Sequence, residues 1–184
     1  MLSWIRVAVC LLLTLLLLDS QVFAAETRDP GTHFFDETWG DLQEELETAR
    51  TEGKKGVLLF FELDECPFCH RMKRSVLNQP EVQKYFRAHF RIFTIDIEGD
   101  VEMVGFQGNV VTQKDFSFKA NRVRATPVMV FYDLDGKEVM RYTGATSGVE
   151  EFLWLGEFIA EGHYKTMRFT KYKRQKARAA RQSP

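Results

Sequence analysis

The chain has 184 residues, 45% of them hydrophobic, with 25 Lys and Arg against 26 Asp and Glu. That length holds one globular core plus terminal extras, and the composition excludes a disordered, collagen-like or multi-span membrane protein. The near-neutral total hides a segregation: residues 25–164 carry net −9, whereas the residues from Lys165 onward carry +8 and no acid, an acidic body joined to a basic tail.

Arg6 and the amino terminus precede an apolar run from Val7 to Leu18 that is broken only by Thr14 and ended by Asp19. Val22 and Ala24 have the spacing found before a signal-peptidase site, so residues 1–24 read as a cleavable signal peptide and residues from Ala25 as an exported chain. An uncleaved anchor is the competing reading, but the run is short of the ~20 residues of a spanning helix. Export to the periplasm or another extracytoplasmic space would discard Cys10, leaving Cys66 and Cys69 as the only thiols. A bridge closing so short a loop adds little stability through chain entropy, so the pair points to chemistry.

Residues 26–33 are polar and contain Pro30 and Gly31, which predicts a loose terminus. Trp39, Leu42, Leu46 and Ala49 at helical spacing predict a helix over 38–51, stopped by Gly53. The apolar run 56–61 predicts a strand buried on both faces. Helices are expected over 66–78 and 80–88, and a strand over 91–97. Three glycines and Asn109 within 98–111 suggest a small hairpin insertion, after which Thr112 caps a helix reaching Asn121. Strands over 128–132 and 137–142 flank Asp133-Leu134-Asp135-Gly136, a hairpin turn by its Asp-Gly ending. A last helix covers 149–160.

Cys66-Pro67-Phe68-Cys69 sits where a buried strand hands over to a helix. At the helix N-terminus unpaired N–H groups and the helix dipole favour a thiolate, and such positions lower a cysteine pKa from ~8.5 into the range of roughly 3.5–7.5. Cys66 is therefore the expected nucleophile and Cys69, one turn later, the resolving thiol. Phe68 at the rim would contact substrate and, with Pro67, tune the redox poise. The strand Leu58-Leu59-Phe60-Phe61-Glu62, the Cys66–His70 segment, Thr126-Pro127 before a strand, and the Asp-Gly hairpin together resemble the thioredoxin superfamily over about residues 36–160. The export signal, His70 after the second cysteine, Thr126 before Pro127 and the inserted hairpin resemble exported bacterial members, including SoxW-type thioredoxins and the catalytic domain of periplasmic disulfide isomerases.

The resemblance implies an α/β thioredoxin fold, a mixed four-stranded sheet flanked by helices, carrying the small hairpin as an insertion. It implies that Pro127 is cis and faces the cysteines, with the Thr126 backbone pairing an extended substrate. The implied activity is thiol:disulfide exchange with protein thiols and disulfides. No cofactor is needed beyond the dithiol, and a companion redox protein resets it. Thioredoxins bury an aspartate six residues before the first cysteine. Here Phe60 stands there, and Glu62 on the same strand face is the candidate replacement as proton relay. Periplasmic isomerases carry a dimerisation domain ahead of the catalytic one; a monomer is expected here.

Cys66, Cys69 and His70 also fit the c-type haem attachment pattern, so a haem or metal carrier is the alternative. A cytochrome should be mostly helical, which four strand-like runs oppose. His33, His89 and His163 are scattered and no second cysteine pair exists, so no zinc or copper site is expected. In the tail, Phe169 and Tyr172 are expected to dock the segment up to about Lys173 on the acidic body. A frayed basic end is expected beyond it, with membrane contact as the other use of the charge. No nucleic-acid partner is expected of an exported chain.

Overall fold

The computed structural model describes residues 26–182; the expected signal peptide at 1–24 lies outside them. The architecture is a thioredoxin-like fold with a mixed four-stranded central sheet flanked by helices. The elements in order are α1 (Pro30–His33), α2 (Leu42–Thr51), β1 (Gly56–Glu62), α3 (Pro67–Ser75), α4 (Pro80–His89) and β2 (Phe90–Asp96). They continue with β3 (Glu102–Val104), β4 (Val110–Thr112), α5 (Gln113–Asp115) running into a π-turn over Phe116–Ala120, β5 (Val128–Tyr132), β6 (Glu138–Thr143), α6 (Val149–Ala160) and α7 (Phe169–Gln182). Strand order in the sheet is β2-β1-β5-β6, and β3 with β4 forms the separate hairpin. β1 runs parallel to β2 and antiparallel to β5, and β6 is antiparallel to β5.

The continuous apolar run of β1 is explained by two covered faces. Leu58 and Phe60 face a cluster with Met72, Phe86, Ile92, Phe131 and Phe152. Val57, Leu59 and Phe61 face the opposite cluster with Leu46, Phe93, Val130 and Phe116. Gly56, at φ +157, lets β1 start against β5: a Cβ there would lie 2.0 Å from the Tyr132 carbonyl oxygen. On the first face, Gly156 of α6 brings the helix onto α4, where Phe86 and Phe152 stack at 4.1 Å. The Tyr132 hydroxyl donates to Asn121 Oδ1, tying the turn after α5 to β5.

Three segments depart from the sequence reading. Helix α2 starts at Leu42, not at 38: Gly40 adopts φ +85 and Asp41 Oδ1 accepts the Gln43 and Glu44 amides at 2.8 and 3.2 Å. The Asp41 cap outcompetes the helical spacing of Trp39, which is fully exposed rather than core. Residues 30–33 are not loose. Asp29 caps α1, Pro30 occupies its first turn, and Phe34 behind it is fully buried against Phe86 and Phe152.

The third departure is the tail. Phe169 and Tyr172 are buried, each 5.4 Å from the Phe158 ring, but the helix does not end near Lys173; α7 continues to Gln182. Lys173 pairs with Glu151 and Lys176 with Glu157, both at 2.6 Å, and both carboxylates lie on α6. Among the described residues no helix is long and apolar enough to cross a membrane.

Candidate active site

Cys66 is the N-cap of α3. Pro67 follows at the first helical position, where its missing N–H leaves no bond unmade. Cys66 and Cys69 form a disulfide with 5.2 Å between their Cα atoms. The Cys69 amide donates to Cys66 Sγ at 3.1 Å, so the first sulfur occupies the position in which a capping oxygen is usually found. Cys69 is 1% exposed and Cys66 4%, and both lie in the apolar cluster with Phe60 and Met129. Phe68, between them, is 56% exposed. The Arg71 guanidinium lies 5.2 Å from its ring centre.

The Thr126–Pro127 bond is cis. The register pairs Phe61 with Val128, so Pro127 lies one step past the end of β5, level with Glu62 and beside the loop that leads to Cys66. Pro127 is buried and Thr126 half-buried. The Gly144 amide donates to the Pro127 carbonyl at 2.8 Å, holding this turn from the β6 side.

Phe60, six residues before Cys66, is fully buried and leaves no polar group at that position. Glu62 makes a 2.6 Å ion pair with Lys73 of α3. The Lys73 ammonium also lies 5.7 Å from the Phe35 ring centre. The carboxylate proposed from sequence as a relay is thus held by a cation one helical turn beyond Cys69. His70 is exposed, and its Nε2 shares a 2.7 Å hydrogen bond with the Asp64 carbonyl, fastening the helix to the loop before it. Among the described residues no three His, Cys, Asp or Glu side chains are grouped to hold a metal ion.

Two features escaped the sequence. Leu63, Asp64, Glu65, Asp96 and Glu98 line an open cleft of about 380 Å³ directly before Cys66, brought together by the parallel pairing of β1 and β2. The second is Glu151, buried at the third position of α6, whose carboxylate accepts from the Ser147 amide and hydroxyl, the Tyr142 hydroxyl and Lys173 Nζ. Burial pushes its pKa up, but the bonds from Lys173, Ser147 and Tyr142 outweigh burial and hold it at about 2. A Ser four residues ahead of a carboxylate at the start of an apolar helix resembles a capping box, and was the available signal.

Residues 42–160 match the model of the thioredoxin-like domain. The chain belongs to that family. A solved thioredoxin-fold protein from Helicobacter pylori is 25% identical, with a TM-score of 0.60 over 69% of this chain and 87% of that one. The oxidised C-terminal domain of DsbD from Neisseria meningitidis is 23% identical, with a TM-score of 0.51 over 68% and 98%. The DsbH oxidoreductase is also 23% identical with a TM-score of 0.51, over 79% and 92%. No curated protein matches the chain. The fold is thus shared with disulfide oxidoreductases, and the cysteine pair stands at disulfide distance.

Proposed function

We propose that this chain is a thiol:disulfide oxidoreductase of the cell envelope that exchanges disulfides with proteins through Cys66 and Cys69. The observation that carries the reading is the Cys66 sulfur capping α3, with the Cys69 amide aimed at it. In the reduced state the same donor and the helix N-terminus stabilise a Cys66 thiolate. That thiolate attacks one sulfur of a substrate disulfide, which breaks, and the other sulfur leaves as a thiolate that takes up a proton. Cys69, deprotonated, then attacks Cys66 in the mixed disulfide. The internal bridge forms, the second substrate thiol is released, and two electrons have passed to the substrate. Run in reverse, the same steps oxidise a substrate dithiol, and a second redox protein resets the pair in either direction.

Exposed Phe68 and the Thr126 backbone beside Pro127 form the ledge on which an extended substrate segment rests. The apolar run 7–18 supports an extracytoplasmic location. The test is a Cys69→Ser variant incubated with disulfide-bonded protein substrate: mixed disulfides should accumulate at Cys66, and Cys66→Ser should abolish exchange. Retained exchange in Cys66→Ser, or trapping at residue 69 in a Cys66→Ser variant alone, would overturn the assignment.

A further inference from the structure

Helix α7 has two opposed faces. At about 100° per residue, Phe169, Tyr172, Lys173 and Lys176 share one side, and that side is the docked one: two rings in the core and two ion pairs to α6. Lys171, Arg174, Arg178 and Arg181 fall within an arc of about 80° on the far side, over a row about 15 Å long. All four are exposed, and among the described residues none makes an ion pair. The helix has no acidic residue, and like charges three or four positions apart repel. Lys171 in the first turn also opposes the helix dipole. Arg and Lys are good helix formers, but Gln and Glu serve as well without the repulsion, so helix propensity does not account for a row of one sign.

We propose that the outer face of α7 is a docking surface for an anionic phospholipid membrane. The charge row is complementary to lipid phosphates. The residues interspersed on that side, Thr170 and Gln182, are polar, whereas a protein partner needs an apolar core in its interface. The apolar face of α7 is already spent on the body, so the helix rests on headgroups without inserting, and attraction is electrostatic. The net −9 of residues 25–164 is repelled by the same surface, so binding orients the molecule with α7 toward the bilayer. This docking is independent of the cysteine chemistry.

Residues 26–182 contain both apolar clusters and every described strand, so the test uses the chain from Ala25 onward, free of the apolar run. Cosedimentation is measured with phosphatidylcholine vesicles with and without phosphatidylglycerol. Binding should require the anionic lipid and weaken at least about tenfold when salt rises from about 0.05 to 0.3 M. Replacing Lys171, Arg174, Arg178 and Arg181 together by Gln should weaken it roughly 10²–10³-fold without lowering the melting temperature or altering disulfide exchange in solution. Equal binding to neutral vesicles, or parental binding by the Gln variant, overturns the proposal. So does salt-sensitive self-association, lost in that variant, without vesicle binding, since the row would then serve a second copy.

Discussion

Lys173 and Glu151 meet at 2.6 Å across 22 positions of sequence, and the same carboxylate takes the Ser147 amide and the Tyr142 hydroxyl. One buried group therefore ties the C-terminal helix, strand β6 and the segment entering α6 to a common point. That segment begins at Gly144, whose amide holds the Pro127 carbonyl.

The pH dependence of stability follows from this group. The folded-state pKa of Glu151, about 2, lies below its ordinary value of 4.5, so its contribution is present above about pH 4.5 and is lost as pH falls toward 2. Lys173 is partly solvated, which reduces the contribution to roughly 1–2 kcal/mol. Urea midpoints measured from pH 7 down to pH 2.5 should fall less steeply in Glu151→Gln than in the parent, and the two curves should converge at the acid end. Parallel curves would show that Glu151 does not carry the linkage.

Docking of α7 rests on its rings. Phe→Ala substitutions in cores typically cost 3–5 kcal/mol, more than the roughly 1–2 kcal/mol of the half-solvated Lys173–Glu151 site. Replacing Phe169 and Tyr172 together by Ala should thus lower the melting temperature at any salt concentration, as should truncation after Gly162. Truncation after Lys176 keeps both rings and both ion pairs and should change it little. Calorimetry of the three variants distinguishes ring burial from charge: a salt-dependent loss in the double-Ala variant would assign the docking to electrostatics.

Gly156→Ala should destabilise despite the better helix propensity of Ala. The added Cβ would lie 2.8 Å from Phe86 Cζ and 3.0 Å from Tyr85 Cε1, and the Phe86 ring is locked against Phe152. Overpacking of this kind costs typically 1–3 kcal/mol against a gain of up to about 1 from propensity. A denaturant midpoint at or above the parental one would show that α4 and α6 can part without penalty.

Glu62 gives a kinetic test. If its carboxylate accepts the Cys69 proton, Glu62→Gln should slow resolution of the mixed disulfide by about 10²-fold or more near neutrality, the lower end of the usual gain from a positioned base. Lys73→Met, which leaves the carboxylate in place, should retain most of the parental rate. Stopped-flow rates for both variants, with the alkylation rate of Cys66 as a control, decide whether Glu62 acts on the proton or only anchors α3.

Much of this was legible in the sequence because it is local. β1 announces itself by an unbroken apolar run, the β5–β6 turn by Asp-Gly, and the cysteine pair by a strand passing directly into a helix. Trp39 misled because its spacing fits α2, while the Gly40 turn and Asp41 cap that exclude it are backbone effects stronger than periodicity. Asp29-Pro30 was a readable helix start hidden in a polar stretch. The Glu62–Lys73 pair and the carboxylate-lined cleft were not readable, since each joins elements whose relative placement exists only after the sheet forms. Beyond Lys173 a basic chain end argued for fraying, whereas Ala and Arg, both strong helix formers, sustain the helix to Gln182.

The pairing of Phe61 with Val128 has a consequence for how the site comes into being. The bridge-forming pair belongs to one short stretch of chain and can close as soon as α3 does. The ledge at Thr126 and Pro127 is far away in sequence and joins it only through β1–β5 contacts. Non-local contacts of this kind are made late, because the closure entropy comes before the reward. On the proposed function, a nascent chain thus acquires its cysteine bridge before the ledge proposed to hold substrate is in place.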